Sequence, residues 1–218
     1  AFIMSEQVLY QEEHLGRLSL VQWGKELYDQ GLVKGSGGNL SIRLSDGTVL
    51  LTPTGFFLGH MTPECISRCD MQGNLLSGNK PTKEVPLHLA VYRTRPNVHA
   101  VCHTHSVYAV AYASTVEPGT VMPICTPSVA AKVGLVEVKG YAHPGSEQLG
   151  RFVEEGLQRS NAVLLANHGV VAVGKDMEAA VSMANEVENN AILLALGAGR
   201  LHILSEENVA HLLKKIAL

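Results

Sequence analysis

Near the N-terminus apolar residues recur with the spacing of a helix, and after that they occur in the short runs typical of strands. Spacing of three and four residues predicts a long helix over residues 7–31. Two short apolar runs around a Ser-Asp-Gly turn predict paired strands at 40–44 and 48–52. Thr62-Pro63-Glu64 has the form of a helix start, with a capping threonine and proline at the first helical position.

The rest of the chain alternates between the two patterns. It predicts helices at about 84–95, 106–114, 146–159, 176–197 and 205–216, strands at 98–103, 162–166 and 170–173, and weaker strands near 121–125 and 133–138. Alternating helices and strands are typical of a layered α/β fold. We therefore expect residues 1–218 to form one domain, with Ala1-Phe2-Ile3 before Met4 as a cloning remnant.

Composition narrows the function classes. The chain has 218 residues, 46% of them hydrophobic and 17% charged, which is ordinary for a globular protein. A formal net charge of −3 gives no reason to expect nucleic acid or an anionic membrane as a partner. We find no apolar stretch of bilayer length and no secretion signal, so we expect a cytoplasmic protein.

The four cysteines show no disulfide framework for a domain of this size. Cys65 and Cys69 lie four residues apart, and a thiolate metal site remains an alternative to simple burial.

Histidines at the ends of two apolar runs are the first candidate chemistry. Residues two apart on a strand point the same way, so His103 and His105 would present two imidazoles to one point. His168 ends another apolar run and is a third candidate. Three protein ligands with one open position suit a catalytic zinc ion or a similar metal. The alternative is that each histidine is structural.

Two small loops could hold an anion. Gly37-Gly38-Asn39 and Thr54-Gly55 each lie beside a predicted strand, and glycine lets backbone N–H groups approach a phosphate closely. Either loop alone could equally be an ordinary turn. Neither matches a Walker or dinucleotide-binding fingerprint.

Glu84 and His88 lie four residues apart and would share a helix face. A carboxylate near a metal can ligate it when substrate is absent and carry a proton once substrate displaces it. The alternatives are a first-turn glutamate that stabilises a helix N-terminus and a structural histidine that is not itself a ligand.

Five short motifs occur in the order seen in the class II aldolase/adducin family, which this chain resembles from about residue 14 to 200. They are Gly38-Asn39-Leu40-Ser41, Thr52-Pro53-Thr54-Gly55, Pro81-Thr82-Lys83-Glu84, His103-Thr104-His105-Ser106 and Asn167-His168-Gly169. The resemblance implies a three-layer α/β/α fold around a central mixed sheet. It also implies a homotetramer with active sites between subunits.

The resemblance assigns roles by position. His103, His105 and His168 would bind Zn²⁺ or another divalent ion, and Glu84 falls on the acid/base glutamate of the aldolases. The epimerases of the family have aspartate at that position, which counts against an epimerase. The phosphate-binding positions of the family correspond to Gly38, Asn39, Thr54, Gly55 and Thr82.

Lys83 departs from the aldolases, which usually have serine just before the glutamate. The stretch around Lys80-Pro81-Thr82-Lys83-Glu84 looks instead like the branch of 3-oxo-tetronate 4-phosphate decarboxylases. That resemblance implies loss of CO₂ from a sugar-acid phosphate to give dihydroxyacetone phosphate through a metal-stabilised enediolate. Lys83 could neutralise the departing carboxylate or the phosphate, or be a solvent-exposed lysine.

Two alternatives stay open from the sequence. One is an aldolase similar to fuculose-1-phosphate aldolase, with the same metal and glutamate. The other is a non-catalytic binding module of the adducin kind.

Overall fold

One mixed sheet of eight strands runs through the protein. The computed structural model describes residues 5–218 and has strands β1 (Asn39–Arg43), β2 (Val49–Leu51), β3 (Ser67–Cys69), β4 (Leu75–Ser77), β5 (Ala100–Thr104), β6 (Val138–Lys139), β7 (Ala162–Leu165) and β8 (Gly169–Gly174). Their order is β4-β3-β2-β1-β5-β8-β7-β6, and only β6 and β7 are parallel. The expected cloning remnant at 1–3 lies outside the described residues.

Helices cover both faces of this sheet, which gives the three α/β/α layers. They are α1 (Glu6–Asp29), α2 (Val85–Thr94), α3 (Val107–Ala113), α4 (Glu147–Gly156), α5 (Met177–Gly197) and α6 (Glu206–Leu213). Apolar residues of α1, α3 and α5 belong to one core, and those of α2 and α4 belong to a second core on the other face. Among the described residues, no helix is long and apolar enough to cross a membrane.

Strands β7 and β8 are apolar on both faces, because each face is covered by helices. In β5, Cys102 belongs to the core under α1, α3 and α5, whereas Val101 belongs to the core under α2 and α4. Alternation along the strand places His103 on the same side as Val101. The end of β5 therefore directs a histidine toward the layer that contains α2.

Most predicted elements form with boundaries shifted by a few residues, but some predictions were wrong. The strand expected near 133–138 forms only at Val138–Lys139, after a helical turn at Val129–Val133. The expected helix after Thr62 is a single 3₁₀ turn, Pro63–Cys65, because the chain then extends to pair β3 with β2. The expected strand at 121–125 does not form; Val121 makes one isolated bridge with Glu137. The last two regions are short, and their partners in the sheet decide their conformation.

Two glycines of α4 provide a matched test of the packing between helix and sheet. A Cβ atom on Gly156 would lie 2.2 Å from Cγ2 of Val163, which is fully buried in β7. We expect Gly156→Ala to lower the free energy of unfolding by about 1–3 kcal/mol, because a stiff β-branched neighbour cannot move aside. Urea denaturation measures the change.

Gly150→Ala, in the same helix, is the control. Its Cβ atom would lie 3.6 Å from Cβ of Ala90, an ordinary contact, so helix propensity should stabilise the protein by up to about 1 kcal/mol. Equal unfolding free energies for the two variants would contradict this description of the interface.

Candidate metal centre

Adjacent antiparallel strands bring the three predicted histidine ligands together. His103 lies in β5, opposite Val171 of β8, and His105 follows just beyond the end of β5. His168 lies in the turn that joins β7 to β8. Nε2 of His103 is 3.1 Å from Nε2 of His168 and 3.2 Å from Nε2 of His105. Residues 65 positions apart in the chain thus meet at one point.

The turn that contains His168 is sterically constrained. Asn167 has a φ of 58°, in the left-handed region that asparagine tolerates better than most residues. A Cβ atom on Gly169 would lie 2.1 Å from the carbonyl oxygen of Thr104, so only glycine fits this approach of β8 to β5. The sequence Asn167-His168-Gly169 therefore places the imidazole of His168 directly against the end of β5.

Glu84 contacts the histidine cluster from the helical layer that contains α2. It occupies the N-cap position of α2 and its side chain is almost completely buried. Its Oε2 lies 3.0 Å from Nε2 of His103, and its Oε1 lies 2.8 Å from Nε2 of His168. The side-chain amide of Asn39, at the start of β1, donates to the same Oε2 at 2.7 Å. The carboxylate is thus fixed by groups from two strands and a turn.

These groups change one another's acidity. Burial alone would raise the pKa of Glu84, but the attraction of His103 and the hydrogen bonds from His103, His168 and Asn39 bring it below its ordinary value. Burial, together with repulsion from His103 and His168, lowers the pKa of His105 to about 4. In His103 burial opposes protonation, yet the carboxylate of Glu84 raises the pKa above its ordinary value. The centre therefore strongly favours a positive charge beside an ionised Glu84.

The hydrogen-bond pattern shows that a metal ion fits this centre. Nδ1 of His103 lies 2.8 Å from the carbonyl oxygen of Val170, which can only accept, so the ring proton is on Nδ1. In the neutral ring the Nε2 lone pair then faces the carboxylate of Glu84 and the other two imidazoles. Such a cluster has acceptors in excess, and a cation would satisfy them together.

The distances agree with a small divalent ion. The ligand atoms of Glu84, His103, His105 and His168 all lie within 4.8 Å of one another. Zinc–nitrogen bonds of about 2.0–2.1 Å imply nitrogen–nitrogen separations of about 3.3 Å in a tetrahedron. The observed 3.1 and 3.2 Å separations are close to that value. Three imidazoles and a displaceable carboxylate are a donor set suited to Zn²⁺ or a similar divalent ion.

A cleft of about 390 Å³ opens over this centre. Its lining residues are Ser36, Gly37, Gly38, Asn39, Pro53, Thr54, Gly55, Thr82, Lys83, Glu84, His105, Pro144 and His168. Every residue that the sequence predicts for phosphate binding lies in this cleft, and so does Lys83, whose side chain is exposed. One cleft therefore brings the loops before β1 and after β2 together with the start of α2.

The predicted phosphate-binding residues differ in how free they are. Gly55 has a φ of 78° and no atom within 4 Å of the position of a Cβ, so its backbone is open to a ligand. Thr82 already accepts a hydrogen bond on Oγ1 from the backbone N–H of Glu84 at 3.2 Å. The side-chain amide of Asn39 is engaged by Glu84 and faces His88 on its other side. Phosphate binding by Asn39 and Thr82 stays a prediction.

Sequence reasoning did not identify some residues around the centre. Ser41 and Tyr92 lie behind Asn39 in a buried polar contact with His88, whose role the sequence left open. The alternation of residues along β1 and the four-residue spacing in α2 are visible in the sequence. Only the structure shows that these side chains lie against one another. The alternative of a thiolate metal site has no support among residues 5–218, because Cys65 and Cys69 are both buried outside the cluster of potential metal ligands and Cys69 is in β3.

Known proteins share this architecture. A family model described as Class II Aldolase and Adducin N-terminal domain matches residues 19–194. A 3-oxo-tetronate 4-phosphate decarboxylase from Pectobacterium atrosepticum is 37% identical over 203 residues, which cover 92% of this chain and 93% of that protein. An L-fuculose phosphate aldolase from Methanococcus maripaludis is 38% identical and covers 77% of this chain and 89% of its own length.

A solved structure with a similar sequence has a similar fold. The crystal structure of YgbL from Klebsiella pneumoniae, described as a candidate aldolase/epimerase/decarboxylase, superimposes with a TM-score of 0.87. It is 37% identical, and the match covers 92% of this chain and 98% of that one. The motifs, the three-layer fold and the family match agree, and the chain belongs to the class II aldolase and adducin family.

Proposed function

We propose that this protein is a metal-dependent lyase that decarboxylates a 3-oxo-tetronate 4-phosphate to dihydroxyacetone phosphate and CO₂. The observation that carries the proposal is the contact of the Glu84 carboxylate with Nε2 of His103 and His168 at the base of the cleft. It supports an acid/base role for Glu84 beside a site for a divalent ion. The relatives named as decarboxylases, 35–38% identical over most of the chain, support this substrate class.

The chemistry needs a place for a pair of electrons. The substrate is a β-keto acid, and breaking the bond between C1 and C2 releases CO₂ and leaves that pair on the carbon–oxygen framework. A divalent ion bound by His103, His105 and His168 supplies Lewis acidity that favours this charge. Glu84 would take up a proton from solvent and deliver it to C2 in place of the lost CO₂, so that one proton is consumed overall.

Lys83 separates this reaction from the aldolase alternative in our proposal. Its exposed side chain lines the cleft between Thr82 and Glu84. A cationic group there can neutralise a substrate carboxylate, which a sugar phosphate cleaved by an aldolase lacks. The phosphate itself would be held by the cleft loops through Gly38, Thr54, Gly55 and Thr82, whereas the side-chain amide of Asn39, the fifth residue expected to bind phosphate, is engaged by Glu84.

The aldolase reaction remains the second candidate. It would use the same histidines and Glu84, and the relative named as an L-fuculose phosphate aldolase is 38% identical over 168 residues. The adducin-like binding module has less support, because a scaffold has no use for an acceptor-rich pocket that fits a metal.

We also propose a cytoplasmic homotetramer with active sites between subunits, built from one domain per chain. Large apolar side chains are exposed within three positions along the chain of residues that line the cleft, including Phe57 and Val107, at 43% and 57% of their surface. Tyr108 and Tyr141 are exposed in the same way. A neighbouring subunit would cover them and close the cleft.

Metal removal tests the first requirement. Dialysis against a strong chelator should abolish CO₂ release from a 3-oxo-tetronate 4-phosphate, and Zn²⁺ or another divalent ion should restore it, because the proposed Lewis acid is lost and regained. Elemental analysis of the protein as purified should give about one metal ion per chain. Full turnover by metal-free protein would overturn the proposed role of the ion.

Glu84→Gln tests the acid/base role. It keeps the shape of the side chain but cannot take up the proton, so we expect turnover to fall by at least about 100-fold while metal content is retained. Glu147→Gln, on the exposed surface of α4, is the control with the same chemical change. An unimpaired Glu84→Gln variant would remove Glu84 from the mechanism.

Lys83→Met tests the choice between the two reactions. We expect kcat/KM for the keto-acid phosphate to fall about tenfold or more, since a charge-assisted contact is lost. Lys80→Met, three residues earlier and also exposed, is the control. Release of an aldehyde from fuculose 1-phosphate, faster than CO₂ release from the keto acid, would favour the aldolase.

A further inference from the structure

A buried row of polar side chains runs from the metal centre along the interface of β1 and α2. We call it the polar ladder; in spatial order it consists of Glu84, Asn39, His88, Ser41, Tyr92 and Arg43. Ser41 and His88 are fully buried and Tyr92 is 2% exposed. Polar groups this deep are normally hydrogen-bonded, and here they bond mainly to one another.

The ladder arises from two matching periodicities. Residues two apart on β1 share a face, and their spacing is about 6.7 Å. Residues four apart on α2 also share a face, and their spacing is about 6 Å along the helix. Asn39 and Ser41 from the strand therefore fit between Glu84, His88 and Tyr92 from the helix. The remaining mismatch is small enough to keep every neighbour in contact over this short length.

Each step of the ladder is a short contact. Tyr92 Oη lies 2.8 Å from Oγ of Ser41, and Ser41 Oγ lies 2.6 Å from Nδ1 of His88. Nε2 of His88 lies 2.5 Å from Oδ1 of Asn39, whose amide nitrogen lies 2.7 Å from Oε2 of Glu84. At the far end the guanidinium of Arg43 lies 4.8 Å from the ring centre of Tyr92 and donates to its backbone carbonyl at 2.8 Å.

The ionised carboxylate of Glu84 decides which group donates in each of these hydrogen bonds. An ionised Glu84 only accepts, so Asn39 must turn its amide nitrogen toward it and its carbonyl oxygen toward His88. That oxygen also only accepts, so His88 must carry its proton on Nε2. Nδ1 of the neutral ring is then an acceptor, to which Ser41 donates while it accepts from Tyr92.

We propose that His88 is a positioning residue, which fixes the amide of Asn39 and thereby holds the Glu84 carboxylate against the metal-binding histidines. The proposal rests on the proposed function for its kinetic consequence, but its structural consequence is independent of the reaction. Without the Nε2–H donor, the amide of Asn39 can rotate and present its oxygen to Glu84. The carboxylate would then lose its donor and meet an oxygen that repels it.

A role in packing alone predicts something different. Loss of a buried polar contact would then lower stability, while turnover per folded molecule would be unchanged. A positioning role predicts lower kcat with nearly unchanged KM, because Glu84 acts in the chemical step and not in binding the phosphate. The two roles also differ in what a partial replacement of His88 restores.

Two substitutions of similar size separate these roles. His88→Met removes the donor, and we expect kcat for CO₂ release to fall about tenfold to 100-fold, with KM within about threefold of wild type. His88→Gln keeps an N–H near the position of Nε2, and we expect it to recover most of that loss. Thermal unfolding of both variants reports the cost in stability separately.

Asn190→Ala is the control for a buried polar contact elsewhere. Asn190 is fully buried and joins α5 to residues 123–125 through hydrogen bonds with Pro123 and Cys125. It should destabilise the fold and leave kcat of the folded fraction within about twofold of wild type. Equal kcat losses in Asn190→Ala and His88→Met, or equal kcat in His88→Met and His88→Gln, would overturn the proposal.

Nuclear magnetic resonance of the protein without substrate tests the ladder independently of the reaction. With ¹⁵N-labelled histidine, His88 should appear as the neutral Nε2–H tautomer at pH 7, assigned by its loss in His88→Gln. With Zn²⁺ added, the side-chain amide of Asn39 should shift in His88→Met and stay in place in His88→Gln. An Nδ1–H or doubly protonated His88, or an Asn39 amide that is unchanged in His88→Met, would overturn the proposal even if the enzyme decarboxylates as proposed. A tautomer and an amide shift as expected, in a protein inactive on the keto acid, would uphold the ladder and refute the proposed function.

Discussion

The centre of this protein depends on an excess of hydrogen-bond acceptors, of which Glu84 and His103 are buried and His105 and His168 line the open cleft. Three imidazole nitrogens and a carboxylate converge within 4.8 Å, and the proton of His103 is held on Nδ1 by the carbonyl of Val170. Without a positive charge between them, these lone pairs repel one another. The attraction of His103 and the hydrogen bonds from His103, His168 and Asn39 hold the pKa of the buried Glu84 carboxyl below its ordinary value, and a divalent ion would relieve the repulsion between the lone pairs.

The pairing of the strands holds these converging side chains in place. Every residue of β5 pairs with a residue of β8, and this pairing holds His103 against the turn that contains His168. Gly169 permits that turn to approach Thr104, and α2 carries Glu84 in from the other layer. Of the candidate ligands, His103 therefore lies in a paired strand, His168 in a tight turn between paired strands and Glu84 at the start of a helix, whereas His105 lies just beyond the strand end. This gives the site the preorganised geometry that catalysis at a metal requires.

The polar ladder shows how the same scaffold extends the site into the core. Arg43, at the far end, is anchored by backbone carbonyls at the C-terminal end of α2 and in the residues that follow it. Each donor between it and Glu84 is oriented by the group beyond it. Between Tyr92 and Glu84 each donor faces an acceptor, and these contacts therefore favour one arrangement of the carboxylate. The same side chains between β1 and α2 therefore contribute both to packing of the core and to the position of Glu84.

The sequence by itself predicted most helices and strands in their order, although not β3 or β4, and it identified the His-x-His pair, the third histidine and the glutamate, because periodicity and short motifs are local. It placed the phosphate candidates on the loops that line the cleft. It could not show that β3 pairs with β2 where a helix was expected after Thr62, or that residues 121–125 stay outside the sheet. Nor could it show that His88 lies between Ser41 and Asn39. Those features come from contacts between residues far apart in the chain, and only tertiary packing decides which of two locally acceptable conformations has a partner.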